Sequence, residues 1–127
     1  MQHIYLCRGI PGSGKSFLAN IIHNWQEYAW LEADMFFMDN GEYKFDKTKL
    51  KDAHQWCQKQ FECWLESGRN IIVSNTFVKK WEMQFYKDLA AKYGAKVTEI
   101  IVRSDDFESV HNVPEETVSR MKREFEF

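Results

Sequence analysis

Gly9 to Ser16 reads GIPGSGKS and follows directly on the apolar run Ile4, Tyr5, Leu6, Cys7. The spacing G-x-x-x-x-G-K-[S/T] suits one task. Glycines let successive backbone N–H groups converge on phosphate oxygens, the lysine brings a mobile positive charge, and the serine hydroxyl is a magnesium ligand. Gly9, Pro11, Gly12, Ser13, Gly14, Lys15, Ser16 and Phe17 are therefore the candidate nucleotide-binding residues, with Ser16 holding Mg2+ beside water and the ATP phosphates. A second candidate is Asp34, which closes the short stretch Trp30 to Ala33 and its sequel Glu32-Ala33-Asp34. In open parallel sheets ligands lie beyond the carboxyl ends of the strands, so a carboxylate there shares a crevice with the phosphate turn. Asp34 is then a general base or an orienting group for an acceptor hydroxyl, or simply a cap on the strand end.

These residues need a sheet and helices to place them. Gln2 to Cys7 has the apolar alternation of a buried first strand. The amphipathic run Phe17, Leu18, Ile21, Ile22, Trp25 starts a helix running to about Tyr28, which puts the glycine turn at a helix N-terminus, where the dipole and unpaired amides favour anions. Trp30 to Ala33 is the second strand. Met35 to Tyr43 reads as a substrate-facing loop with the turn signal Asp39-Asn40-Gly41, and Phe36, Phe37 and Tyr43 either stack on a base or close the core edge. Asp46 caps a helix of about five turns with Leu50, Ala53, Cys57, Phe61 and Trp64 on its inner face and Gly68 as its stop. Ile71, Ile72 and Val73 form an unbroken apolar strand, as a parallel sheet buried on both faces requires. Lys79 to Tyr93 predicts a helix with Trp81, Phe85, Leu89 and Tyr93 inward. Lys96 to Arg103 is a fourth strand, and Pro114, Glu115 and Glu116 open a last helix with Val118, Met121 and Phe125 as its buried stripe. The order βαβαβαβα implies an α/β fold, a doubly wound parallel sheet in three layers.

The 127 residues are expected to form one domain, residues 1–127, rich enough in apolar residues (44%) and aromatics (16%) to bury a core. A formal charge of −2 gives no electrostatic footprint for gripping a long duplex, which favours a nucleotide, a nucleoside or a nucleic-acid end as partner. Cys7, Cys57 and Cys63 cannot all pair and lack metal-ligand spacing, so they are expected as buried thiols in a reducing compartment. No apolar run reaches the length a bilayer needs and no secretory leader pattern opens the sequence, so the expected location is cytoplasmic, with no membrane contact. Arg8 reaches either phosphate or an acidic neighbour, Asn75 and Thr76 either cap a helix or touch ligand, and His54 and His111 are expected to be structural.

The run CRGIPGSGKS, then EADMFF, then Tyr43-Lys44-Phe45-Asp46, Ala53-His54-Gln55-Trp56-Cys57, IIVSNT and HNVPEETVSRM resembles the small P-loop kinases related to polynucleotide 5′-hydroxyl kinases, across almost the whole chain. The resemblance implies the kinase-type P-loop nucleoside triphosphate hydrolase fold. It also implies ATP with Mg2+ as phosphoryl donor, and transfer of the γ-phosphate to a nucleic-acid 5′-hydroxyl, a nucleoside or a nucleotide. It matches Asp34 to the family's general base. Two positions depart from the family pattern. Where an Asp often ends the third strand, this chain has Ser74-Asn75-Thr76, and the segment from Ser104 to Val113 carries Asp105, Asp106 and Glu108 instead of lid arginines. Arg103 and Arg120 are the remaining candidates for the cation that covers the transferring group, with Arg103 preferred. A nucleotide-hydrolysing switch, or an ATP-binding protein without transfer, are the alternatives to a kinase.

Overall fold

A computed structural model describes residues 1–103 and 113–127. The polar connection expected to carry Asp105, Asp106, Glu108 and His111 falls on residues 104–112 and lies outside the described residues. Four parallel strands form the central sheet: β1 (His3–Arg8), β2 (Ala29–Leu31), β5 (Ile71–Asn75) and β6 (Lys96–Ile101), in the spatial order β2-β5-β1-β6. Between them run α1 (Lys15–Gln26), α2 (Leu50–Glu66) and α3 (Gln84–Lys92), and α4 (Glu115–Glu124) follows β6. Every neighbouring pair of the sheet is parallel, with Ile4 opposite Ile71 and Val97. The expected parallel sheet with flanking helices is therefore the observed architecture.

The period-two alternation of the strands sorts two cores onto the two faces. Ile4, Leu6, Leu31, Ile71 and Val73 face α2 and α3, packing on Ala53, Cys57, Phe61, Leu65, Met83, Tyr86 and Ala90. Cys7 and Ile72, with Tyr5, Trp30 and Ile100, face α1 through Leu18, Ala19 and Ile22. β5 is buried at all five positions, which is why its sequence is continuously apolar rather than alternating.

Helix phases differ from the sequence reading in several places: Leu50, expected on the inner face of α2, is exposed, and Val118, Met121 and Phe125, expected as a buried stripe, are only half-buried. Trp81, Phe85 and Tyr93 were expected inward, but Trp81 is 74% exposed and Phe85 and Tyr93 lie at the surface, while Met83, Tyr86 and Ala90 are buried. The segment opens with a 3₁₀ turn, Lys80–Met83, whose three residues per turn rotate the inward face away from the spacing that the sequence suggested. On α1 the broad apolar stripe splits. Leu18, Ala19 and Ile22 pack on the sheet, and Phe17, Ile21 and Trp25 stay exposed, because a cylinder meets a sheet along a narrow strip.

The loop expected at 35–43 has structure of its own. A 3₁₀ turn, Ala33–Phe37, leads into a two-stranded hairpin of β3 (Met38–Asp39) and β4 (Glu42–Tyr43). Asn40 and Gly41 form its two-residue turn, both at positive φ, as an Asn-Gly hairpin turn demands. Asp46 caps not α2 itself but the 3₁₀ turn Lys47–Lys49 that leads into it, its Oδ1 accepting from the Thr48 N–H at 3.0 Å. Of the three cysteines, Cys7 and Cys57 are buried and Cys63 is exposed, on the outer face of α2. His54, expected to be structural, is exposed on the same helix.

A kinase-type phosphate loop with two carboxylates

The loop starts where the central strand β1 ends, held on both sides. The Gly9 N–H donates to Thr76 O at 3.3 Å beyond β5, and the Val102 N–H donates to Arg8 O at 2.8 Å beyond β6. Only a glycine fits at position 9: a Cβ there would stand 2.3 Å from Ser13 Oγ and 2.9 Å from Val102 O. The chain then folds back through the turn bond from the Ser13 N–H to Ile10 O, and passes Gly12 and Gly14 at φ 84° and 95°. Residues with a Cβ rarely adopt that region, so the glycine spacing of the motif is a backbone requirement. Gly14 is the N-cap of α1, and Lys15 and Ser16 are its first two residues. The loop thus runs directly into the N-terminus of α1, whose dipole end favours an anion. Pro11 is half-buried in the turn, and Phe17 is 59% exposed.

Two carboxylates come to this loop from the end of β2. Asp34, in the first turn of the 3₁₀ segment, accepts from the Tyr43 hydroxyl at 3.4 Å. Glu32, which the sequence reading left without a role, is 8% exposed and takes the Ser16 hydroxyl proton between its two oxygens, at 2.6 and 3.2 Å. Burial pushes its carboxyl above the usual carboxylate range, against the pull of Ser16 and Lys15. Lys15 is likewise lowered by burial, while the charges of Glu32 and Asp34 act to raise it again. Lysine, serine and both carboxylates thus form one electrostatic group. A lone Glu inside the apolar stretch Trp30 to Ala33 was the signal that could have revealed Glu32. Cys7 lies in the same field, its thiol pushed up to about 12 by burial and by the Glu32 charge, and is an inert core residue. Tyr43 is also pushed up to about 12, by burial and then by Asp34, so its hydroxyl keeps its proton and donates.

Asn75 places these carboxylates without facing solvent. Its Oδ1 accepts the Ala33 N–H at 2.9 Å, between Glu32 and Asp34, and its Nδ2 donates to Cys57 Sγ at 3.8 Å on α2. It neither caps the next helix nor stands open to a ligand. Asn75→Ala strands a buried N–H and is expected to cost about 1–3 kcal/mol in chemical denaturation; a loss under half a kcal/mol would show that the Ala33 turn holds itself.

Arg8 reaches an acidic neighbour. Fully buried, it donates to Glu99 Oε1 at 2.7 Å and to the carbonyls of Phe77 and Glu126, and lies 4.7 Å from the centre of the Phe125 ring. It ties β1, β6, the segment after β5 and the tail after α4 into one unit behind the loop. Arg103 stacks over Phe127 at 4.5 Å, and with Gly9, Ile10, Lys122 and Phe125 it borders a cavity of about 450 Å³. This cavity lies on the β6 side of the loop, and the carboxylates lie on the β2 side. Arg120 is exposed on α4 and does not line the cavity, whereas Lys122 does. Among the described residues no helix is long and apolar enough to cross a membrane.

The fold and loop agree with comparisons to known proteins. Human NEDD4-binding protein 2 is 33% identical over 136 aligned positions, covering 97% of this chain and 8% of that protein, so the chain spans under a tenth of its length. Among solved structures, the Pnkp1/Rnl/Hen1 complex matches with a TM-score of 0.64 at 17% identity, over 94% of this chain and 38% of that one. A gluconokinase from Sinorhizobium meliloti gives 0.64 at 15%, covering 98% and 75%. The Mycobacterium tuberculosis APS kinase CysC in complex with AMPPNP and APS gives 0.61 at 15%, covering 94% and 67%. At these identities the likeness is one of fold, that of the P-loop kinases. A family model described as an AAA domain matches residues 4–115, most of the chain, and with its P-loop kinase-like fold the chain belongs to that family.

Proposed function

We propose that the chain is an ATP-binding phosphotransferase, one P-loop domain over residues 1–127, that moves the γ-phosphate of ATP to a nucleic-acid 5′-hydroxyl, a nucleoside or a nucleotide. The observation that carries this reading is the meeting of Lys15, Ser16, Glu32 and Asp34 at the carboxyl edge of the sheet, against the N-terminus of α1. Two buried hydroxyls nearby, Ser13 Oγ and Ser74 Oγ, have no hydrogen-bond partner among the described residues, as polar atoms of a phosphate site would.

In this reading the loop N–H groups and the Lys15 ammonium bind the phosphate chain and neutralise charge on the transferring group. Asp34 orients the acceptor hydroxyl and takes its proton, with the Tyr43 hydroxyl holding the carboxylate in place. Magnesium, with Ser16 Oγ and the ATP phosphates as its ligands, supplies further neutralisation when bound. The aromatic and cationic cavity on the β6 side suits the base and ribose of the nucleotide, which leaves the β2 side, with Asp34, Phe36 and Tyr43, to the acceptor. The Pnkp1/Rnl/Hen1 RNA repair complex among the fold neighbours favours testing RNA first as acceptor.

Incubation with γ-labelled ATP and a panel of 5′-hydroxyl oligonucleotides, nucleosides and monophosphates tests the reading. Label on an acceptor is expected; free labelled phosphate alone would make the protein a hydrolase, and neither product would leave a nucleotide-binding protein. Arg103 is the arginine proposed to touch the nucleotide. Arg103→Ala is expected to lower kcat/KM for ATP by about tenfold, in line with one lost cation contact, and Arg120→Ala to leave it within about twofold. The reverse ranking would pass the role to α4.

A further inference from the structure

Four side chains stand in one pile that runs from behind the phosphate loop to the cavity beside it. The Arg8 guanidinium lies 4.7 Å from the centre of the Phe125 ring, the ring centres of Phe125 and Phe127 are 4.9 Å apart, and the Arg103 guanidinium lies 4.5 Å from the centre of the Phe127 ring. Cations over ring faces and a tilted aromatic pair are attractive contacts, so the four groups hold one another in line. The Arg8 end is fixed. Its fork donates twice to Phe77 O, at 3.1 and 2.9 Å, and this doubled bond holds Phe77 at φ 44°, where a bulky residue stays only if its surroundings dictate it. The Arg103 end reaches the cavity: Phe127 is 60% exposed and borders it together with Phe125, Gly9 and Ile10.

Glu126, between the two rings, commits its polar groups to docking. Its N–H donates to Val78 O at 2.8 Å, its carbonyl accepts from Arg8 Nη2 at 2.5 Å, and its Oε1 accepts the Lys80 N–H at 2.7 Å. Bonds to Arg8 and to the segment after β5 therefore place both rings, and the rings leave the cavity wall together if those bonds open. A partly exposed ring on the wall of a cavity that adjoins a phosphate loop offers a face on which a planar base stacks.

We propose that residues 125–127 are a clasp on the nucleotide site: the base packs against the Phe127–Arg103 end of the pile, Arg8 is the positioning residue that docks the clasp, and docking and nucleotide binding stabilise each other. The proposal rests on the nucleotide-binding reading above and deepens it, since the clasp grips the base while the loop grips the phosphates.

Calorimetry with ATP and with inorganic tripolyphosphate, both with MgCl2, separates these two grips. Phe127→Ala is expected to weaken ATP binding about tenfold, within the range for loss of one stacking platform, and to leave tripolyphosphate within about twofold. The Phe127 side chain is largely exposed and takes no part in the Glu126 bonds, so the variant keeps its fold. The linkage is read in the unaltered protein from hydrogen exchange of the Glu126 amide by NMR. With the undocked state binding ATP about tenfold more weakly, ATP at about ten times its Kd slows that exchange about fivefold, and tripolyphosphate leaves it unchanged. Arg8→Lys keeps the charge beside Glu99 but loses the fork, and is expected to speed the exchange and to weaken ATP more than tripolyphosphate. If thermal melting shows that variant to be unfolded, Phe125→Leu, which takes the ring from Arg8, is read in the same way. Unchanged ATP affinity in Phe127→Ala, an equal loss for both ligands, or Glu126 exchange indifferent to ATP overturns the clasp and leaves nucleotide binding standing. Failure of the unaltered protein to bind either ligand overturns both.

Discussion

Lys15→Ala is expected to lower phosphoryl transfer by about 10²–10³-fold, or about 3–4 kcal/mol of transition-state stabilisation, the range found when one preorganised donor to developing charge is removed. Nucleotide affinity is expected to fall with it. The fold is expected to survive, because Lys15 lies in the first turn of α1 outside the hydrophobic core, its charge interacting with those of Glu32 and Asp34. Both of those carboxylates lose their common counter-charge in the variant, so part of the lost affinity arises from two anions left facing the triphosphate. Calorimetry with ATP and a far-ultraviolet circular dichroism spectrum measure the two sides of the claim. Native helicity with undiminished ATP affinity would remove the phosphate loop from the functional account.

Asp34→Asn is expected to lower transfer by about 10²-fold or more while ATP still binds. The amide keeps the shape and can still accept the Tyr43 proton, so the geometry at 3.4 Å is retained and only the charge and basicity go. Single-turnover kinetics at saturating ATP separate this loss from a binding defect. A variant that transfers at the original rate would reduce Asp34 to an acid in the first turn of a short 3₁₀ segment, where it merely complements the local dipole.

Much of the site was legible from local chemistry. The phosphate loop is specified by glycines that must adopt positive φ, a lysine, and a strand-then-helix context, all contained in one short stretch of chain. The parallel sheet followed from unbroken apolar runs such as Ile71 to Val73 separated by helices too long for hairpin connections. Asn40-Gly41 announced its turn but not the hairpin, since strands of two residues leave no periodicity to read. The inward faces of the helices were less legible. On the third helix a 3₁₀ entry shifted the phase, and on α1 the stripe was wider than the surface available to cover it.

By itself the sequence determined the phosphate loop, the order and kind of the main elements, and the carboxylate at the end of the second strand. These are short-range properties, set by backbone sterics, hydrophobic period and strand direction. Tertiary structure alone decided which side chains meet. It turned Arg8 away from phosphate into a buried knot with Glu99, Phe77 and the chain's tail, and made Asn75 a brace for the Ala33 turn. It set Arg103 rather than Arg120 beside the loop, and brought Glu32 onto Ser16 across sixteen residues of chain. Such pairings depend on strand order and on the register between distant segments, and the burial that makes a hydrogen bond between them strong exists only once the sheet has closed around both partners.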